Sequence, residues 1–122
     1  MNIVDSCGWI EYLSNGSRAE AYAKPLEDTQ NLIVPTVCLF EVFKKVLVER
    51  GEDAAMQAAS LMQNGSVIGL DTSIALEAAR LGREHKLPFA DSIILATAEL
   101  HDAVVWTQDA HFRGLGRVNF IE

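Results

Sequence analysis

The chain has 122 residues, 49% of them hydrophobic, and carries a formal net charge of −7 at pH 7. This length suits one domain over residues 1–122, and the acidic balance argues against a protein that binds nucleic acid through bulk positive charge. The apolar runs are short and the start has no signal-peptide pattern, so a cytoplasmic protein without a membrane span is expected.

Short apolar segments alternate with helical patterns along the chain. Strands are predicted over residues 2–4, 31–34, 67–70 and 103–107, with an edge strand over 118–121. Helices are predicted over residues 6–13, 18–27, 36–50, 52–63, 72–85 and 88–101. Because right-handed crossovers place helices on either side, this alternation predicts an α/β fold with a central parallel sheet flanked by helices on both faces.

Four acidic residues stand at element ends or alone in apolar stretches. Asp5 follows the first strand, Glu41 lies in VCLFEVF, Asp91 in LPFADSIILATA and Asp109 in VVWTQDAHF. An ionised carboxylate in such surroundings is costly unless a cation or a donor compensates it. Parallel strands end at a shared edge, so Asp5 and Asp109 should meet there if the first and fourth strands are neighbours. Asp91 joins them if its helix begins nearby.

Each acid also has an ordinary structural interpretation. Asp5 alone is readable as a helix cap and Asp109 as a turn residue. Glu41 precedes Lys45 by four residues, which is the spacing of a surface ion pair, yet it is the only polar residue between positions 37 and 43. The convergence of the four acids favours a Mg²⁺ or Mn²⁺ site, since these ions prefer oxygen ligands and activate water for attack on phosphorus.

The spacing of the histidines and cysteines favours neither a zinc site nor a disulfide or thiol site. His85, His101 and His111 lack the spacing of zinc ligands, so solvated or helix-terminal positions are expected. Cys7 and Cys38 lack CxxC spacing and are expected to be reduced, partly buried thiols without a functional role. Phosphate-binding glycine loops and nucleophile motifs of acyl transfer are absent from the sequence.

Three segments resemble the PIN-domain nucleases, most closely the VapC-type toxins of toxin-antitoxin pairs. IVDSCGWIEYL is similar to the opening strand, metal Asp and first helix of that family, PTVCLFEVFKKV to its acidic helix, and FADSIILATAELHDAVVWTQDAHF to its closing motif. The resemblance assigns the catalytic acidic positions to Asp5, Glu41, Asp91 and Asp109, with metal on the three Asp residues. It assigns supporting hydroxyl positions to Ser6 and Thr107, although many relatives have Thr where this chain has Ser6.

The resemblance also implies an activity and partners. The implied activity is a Mg²⁺- or Mn²⁺-dependent endoribonuclease directed at structured RNA, acting as a homodimer and inhibited by a small antitoxin that inserts a basic residue into the acidic site. Candidates for the antitoxin groove are the apolar residues Trp9, Ile10, Leu13 and Tyr22, for which packing in the core is the alternative. Candidates for RNA contacts are the basic residues Lys44, Lys45, Arg113 and Arg117, for which a solvated surface position is the alternative.

Two alternative functions are compatible with an α/β fold and an acidic site. One is a PIN-fold binding module that acts in an antitoxin- or DNA-associated complex with little nuclease activity, as in the trafficking regulator FitB. Intact acids at all four positions argue against it. The other is a response-regulator receiver, but receivers pair two adjacent acids after the first strand and place a Lys after the last, and this sequence has neither feature.

Overall fold

A computed structural model describes all residues 1–122 and contains five strands in one parallel sheet. The strands are Asn2–Val4 (β1), Leu32–Pro35 (β2), Ser66–Ile68 (β3), Val104–Thr107 (β4) and Val118–Phe120 (β5). The helices are Ser6–Leu13 (α1), Ala19–Glu27 (α2), Thr36–Arg50 (α3), Glu52–Met62 (α4), Thr72–His85 (α5) and Phe89–Leu100 (α6). Short 3₁₀ turns cover Thr29–Asn31 and Ala110–Phe112. The predicted α/β class is confirmed, and the element ends differ from the predicted ones by at most two residues.

The strand order β3-β2-β1-β4-β5 reverses direction between β1 and β4. Ile3 of β1 pairs with Ile33 on one side and with Val105 on the other. With right-handed crossovers, α1 to α4 cover one face of the sheet, and α5 and α6 cover the other. The chain therefore leaves the carboxyl ends of β1 and β4 in opposite directions, and this divergence opens the crevice in which such sheets bind ligands. The first and fourth strands are neighbours, so the condition under which Asp5 and Asp109 meet at one edge is fulfilled.

The core is centred on the three inner strands, β2, β1 and β4, and on α6. Ile3, Val4 and Val105 have no exposed surface, and every residue from 91 to 98 of α6 is buried. The helix is apolar on most sides because it packs on both the sheet and α5. None of the six helices combines the length and the apolar character that a membrane crossing requires.

Trp9 and Tyr22 belong to this core, so the prediction that they line an open groove was wrong. Trp9 is 2% exposed and Tyr22 is 0% exposed. A Cβ atom on Gly8 would lie 2.5 Å from Cε1 of Tyr22, which shows how closely α1 approaches α2. Cγ1 of Val4 in β1 would lie 2.6 Å from the same Cβ atom, so α1 packs here against both α2 and the sheet.

A groove does exist between α1, α3 and α4. Gly51 takes a φ of 89°, which a residue with a side chain rarely adopts, and so allows α4 to turn back against α3. The groove has a volume of about 270 Å³ and a mostly apolar lining. The lining includes Ile10 and Leu13, the other two predicted groove residues, together with Val46, Ala54, Ala58 and Leu61.

Candidate metal centre

Asp5 and Asp109 meet at the carboxyl ends of β1 and β4 through the hydroxyl group of Thr107. Asp5 caps α1 by accepting a hydrogen bond from the Ser6 amide at 2.6 Å. The Thr107 hydroxyl donates to Oδ2 of Asp5 at 2.9 Å and accepts a hydrogen bond from the amide of Asp109, also at 2.9 Å. Thr107 is fully buried, so its hydroxyl fixes the first strand end relative to the fourth.

Asp91 reaches the same edge from the first turn of α6. This helix precedes β4 in an α/β crossover, so its first turn lies near the carboxyl ends of the strands. Nδ1 of His111 lies 3.0 Å from Oδ2 of Asp91 and 3.0 Å from Oδ1 of Asp109. The structure therefore brings the acid of α6 and the acid after β4 onto one imidazole nitrogen.

The electrostatics of the site disfavour ionised carboxylates. Burial raises the pKa of Asp5, although a hydrogen bond from Thr107 acts in the opposite direction. Burial also raises the pKa of Asp91 to about 6, with a further increase from the negative charges of Asp5 and Asp109 and a decrease from His111. None of the ion pairs in the structure joins a Lys or Arg side chain to these three acids. The carboxylates are thus gathered without a permanent cation.

Glu41 adjoins the three Asp residues through Ser6. The Ser6 hydroxyl donates to Oε1 of Glu41 at 2.6 Å, and Ser6 directly follows Asp5 in the chain. Lys45 pairs with Glu49 at 2.9 Å. The surface ion pair between Glu41 and Lys45 is therefore not formed, and the partner of Glu41 is a residue of α1.

Cys7 also lies beside the site. Its thiol is 3.4 Å from Oδ2 of Asp5 and 3.5 Å from the hydroxyl of Thr107. Burial, and then the charge of Asp5, raise the pKa of this thiol to about 11. Cys7 is thus a neutral, partly buried neighbour of Asp5, and both cysteines are free as expected.

The four basic residues predicted to contact RNA fall in different parts of the molecule. Lys44 and Lys45 line a hollow of about 720 Å³ that also contains Ser6 and Glu41. Arg113 follows the 3₁₀ turn after Asp109, where its guanidinium pairs with Glu122 at 2.8 Å and lies over the ring of Phe120. Arg117 immediately precedes β5 and pairs with Asp102 at 2.8 Å. Because Asp102 precedes β4, this pair marks the amino edge of the sheet, and Arg117 does not line the acidic site.

His111 is the site residue that sequence reasoning missed. The expected helix-terminal position fits His85, the last residue of α5, and His101, which caps α6. Asp109 instead begins a 3₁₀ turn and accepts a hydrogen bond from the His111 amide at 2.9 Å. An Asp that caps a turn, with a His two residues later, is a local pattern that could have placed this imidazole near the acid.

The donor set fits a divalent cation. Asp91, Asp109 and His111 each offer one ligand atom, and these atoms all lie within 4.8 Å of one another. Asp5 stands beside them, since its charge raises the pKa of Asp91. Carboxylate oxygens suit Mg²⁺ and Mn²⁺, and a cation would offset the charge that no Lys or Arg compensates.

Comparisons with known proteins give one family match and one shared fold. A sequence profile of the PIN domain matches residues 3–118. No curated protein sequence matches the chain. Several solved structures share its fold over nearly their whole length.

Three of these structures illustrate the likeness. A chain of a toxin-antitoxin complex from Klebsiella pneumoniae is 24% identical, with a TM-score of 0.82 over 98% of this chain and 96% of that chain. The Sarcin-Ricin loop cleaving toxin VapC20 from Mycobacterium tuberculosis is 17% identical, with a TM-score of 0.78 over 100% and 98% of the two chains. A chain of FitAcB from Neisseria gonorrhoeae is 18% identical, with a TM-score of 0.73 over 100% and 97%. At these identities the likeness concerns the fold.

Proposed function

Because the chain belongs to the PIN-domain family, we propose that it is a metal-dependent endoribonuclease, the toxin of a toxin-antitoxin pair, acting in the cytoplasm. The observation that carries the proposal is the group of buried and half-buried carboxylates at the reversal point of the sheet, which no Lys or Arg neutralises. The fold shared with VapC20, a toxin described as cleaving the sarcin-ricin loop, supports RNA as the substrate class.

In this proposal Asp5, Asp91 and Asp109 hold Mg²⁺ or Mn²⁺. An ion held there would lower the pKa of a coordinated water and would offset negative charge on the phosphate. Thr107 keeps Asp5 and the backbone of Asp109 in register through its two hydrogen bonds. Glu41, oriented by Ser6, stands at the side of the site as an acceptor for the attacking water.

The RNA path in this proposal runs over the hollow beside Glu41. Phe40 is 64% exposed, and the Lys44 ammonium lies 5.8 Å from the centre of its ring. An exposed ring provides a stacking surface for a base, and a lysine beside it provides a phosphate contact. Lys45 is available for phosphate only by leaving Glu49. Phe40→Ala and Lys44→Ala should therefore raise KM more than they lower kcat, whereas Arg117→Ala, at the opposite edge, should change neither.

The deciding experiment for the activity is cleavage of total cellular RNA by the purified chain. Cleavage should require Mg²⁺ or Mn²⁺ and stop in EDTA, because the thiol of Cys7 is neutral and the hydroxyls of Ser6 and Thr107 both donate to carboxylates, which leaves no activated protein nucleophile. Cleavage that persists in EDTA, in protein free of contaminating nuclease, would contradict the mechanism. Expression of the wild-type chain should arrest growth and Asp5→Asn should not. Continued arrest by the variant would favour a binding module that acts without cleavage.

The partner in this proposal is a small antitoxin that lies in the groove of α1, α3 and α4, on a toxin homodimer. The shared fold with chains of toxin-antitoxin complexes supports this partner, and the apolar lining around Ile10 and Leu13 supports the place. Leu61→Glu, at the 42% exposed rim of the groove, should weaken inhibition by the product of a neighbouring short reading frame. Leu76→Glu, on α5 and 68% exposed, is the matched control and should leave inhibition intact.

A further inference from the structure

His111 has a position that the proposed function leaves without a role. Its imidazole side chain is 55% exposed, yet Nδ1 turns inward to two carboxylates. Nδ1 lies at hydrogen-bond distance from both carboxylates, whereas Nε2 makes no hydrogen bond with the protein. A cation that enters between the carboxylates would take the place of the proton at Nδ1 and leave the ring proton on Nε2.

The separations around Nδ1 match those between neighbouring ligands of one octahedral ion. Ligands at about 2.1 Å and at right angles to each other are about 3.0 Å apart. Nδ1 lies 3.0 Å from Oδ2 of Asp91 and 3.0 Å from Oδ1 of Asp109. Two of the three separations thus equal those of neighbouring ligands, and the third, between the two carboxylate oxygens, lies within 4.8 Å.

We propose that Nδ1 of His111 is a direct ligand of the metal ion, alongside Asp91 and Asp109. This inference rests on the proposed metal-dependent function and adds to it a nitrogen ligand from the chain. An imidazole ligand strengthens the binding of transition-metal ions, whereas Mg²⁺ takes oxygen ligands and keeps its waters. The site therefore binds Mn²⁺ and Co²⁺ in preference to Mg²⁺, and His111 sets that preference.

The backbone gives the ligand a defined starting position. The amide of His111 donates to Oδ1 of Asp109, so the turn holds the two residues together whether or not a cation is present. Asp91 approaches from α6, where it is only 8% exposed. One ligand is thus fixed by a buried helix, and the other two by a single 3₁₀ turn.

The test is metal binding by the full, untagged chain in the absence of RNA. Calorimetry with Co²⁺, Mn²⁺ and Mg²⁺ should show that His111→Ala weakens Co²⁺ by about tenfold or more, Mn²⁺ by less and Mg²⁺ least. His85→Ala removes a half-buried histidine near Glu84 and is the matched control, which should leave all three affinities unchanged. Equal losses for the three ions in His111→Ala would overturn direct nitrogen ligation, because a merely positioning residue affects every ion alike. An unchanged Co²⁺ affinity would overturn it as well.

A spectroscopic measurement gives an independent reading. Pulsed electron paramagnetic resonance of bound Mn²⁺, in protein carrying ¹⁵N-labelled histidine, should detect nitrogen coupling in the wild type and in His85→Ala. The coupling should be lost in His111→Ala. It should also be lost in His111→Asn, which keeps a polar group at this position but removes the ring nitrogen. Nitrogen coupling that survives in both variants would overturn the proposal. If the wild type shows the coupling but does not cut RNA, only the proposed function is overturned.

Discussion

The two edges of the sheet carry acidic side chains in opposite physical states. At the amino edge, Asp102 pairs with Arg117 at 2.8 Å, and its side chain is 92% exposed. The hydrogen bond from Arg117, and then the charge of that guanidinium, lower the pKa of Asp102. At the carboxyl edge, burial raises the pKa values of Asp5 and Asp91, and no Lys or Arg opposes that increase.

The opposite pKa shifts distinguish a solvated surface carboxylate from a carboxylate in a candidate metal site. A solvated carboxylate beside a guanidinium is stable as it stands and contributes little to the fold. Buried carboxylates close to one another cost stability unless a proton or a cation joins them. The carboxyl edge keeps this unfavourable arrangement, which is expected of a site whose ligand is a cation.

The largest expected contrast between the edges is in RNA cleavage. Asp5→Asn and Asp91→Asn should each lower the cleavage rate by about 100-fold or more, because the amide preserves the shape and removes the ligand charge. Asp102→Asn should leave the rate unchanged. Initial rates on a fluorescent RNA with saturating Mn²⁺, together with circular dichroism of each variant, measure this. Equal losses from the two edges would break the distinction.

The second contrast is in stabilisation by metal. At a Mn²⁺ concentration 100 times its dissociation constant, the folded wild type should gain about 2.7 kcal/mol, provided that the unfolded chain binds negligibly. Asp109→Asn should lose most of this gain, and Asp102→Asn should retain it. Thermal melts in EDTA and across a Mn²⁺ titration give the comparison. Equal shifts in wild type and Asp109→Asn would reduce Asp109 to a turn residue.

The third contrast is in pH dependence without metal. The pKa of Asp91 is raised from 3.8 to about 6 in the folded chain, so the folded state binds its proton more tightly than the unfolded state does. The resulting stability is present below about pH 4 and is lost as the pH rises through 6. Between pH 5 and pH 7 the wild type should therefore lose about 0.5–1 kcal/mol relative to Asp91→Asn, allowing for partial solvent screening. Urea unfolding in EDTA at both pH values measures the difference, and parallel curves for the two proteins would contradict it.

The smallest effect should come from the amino edge itself. Arg117→Ala and Asp102→Asn should each leave the unfolding midpoint almost unchanged, since both partners of this ion pair are solvated. Whatever effect remains should vanish in high salt. A large loss of stability in either variant would mean that this ion pair supports the fold. The acid at the amino edge would then not be the energetically neutral surface group that the comparison assumes.

The sequence was sufficient to place Asp5, Asp91 and Asp109 together, because that prediction needed only strand ends and helix starts in a parallel sheet. The prediction that Trp9 and Tyr22 line an open groove failed because apolar character does not distinguish a groove from a core. Basic charge alone likewise could not assign Arg117 to an edge of the sheet.

Side-chain contacts were the other part that the sequence did not reveal. The bond from Ser6 to Glu41 spans 35 positions along the chain. The inward turn of His111 depends on a single 3₁₀ turn. Neither contact leaves a periodic pattern in the sequence, so both could be identified only in the folded structure.

The hydrogen bond between Asp5 and Thr107, which joins residues 102 positions apart, also has a consequence for protein synthesis. A nascent chain that has not yet emerged as far as β4 lacks the partner strand, the hydroxyl and the final acid, so it carries no complete site. The lining of the groove between α1, α3 and α4 ends at Leu61, and that part of the chain leaves the ribosome earlier. The residues of the surface proposed for the inhibitor are thus synthesised before the last acid of the edge proposed for cleavage.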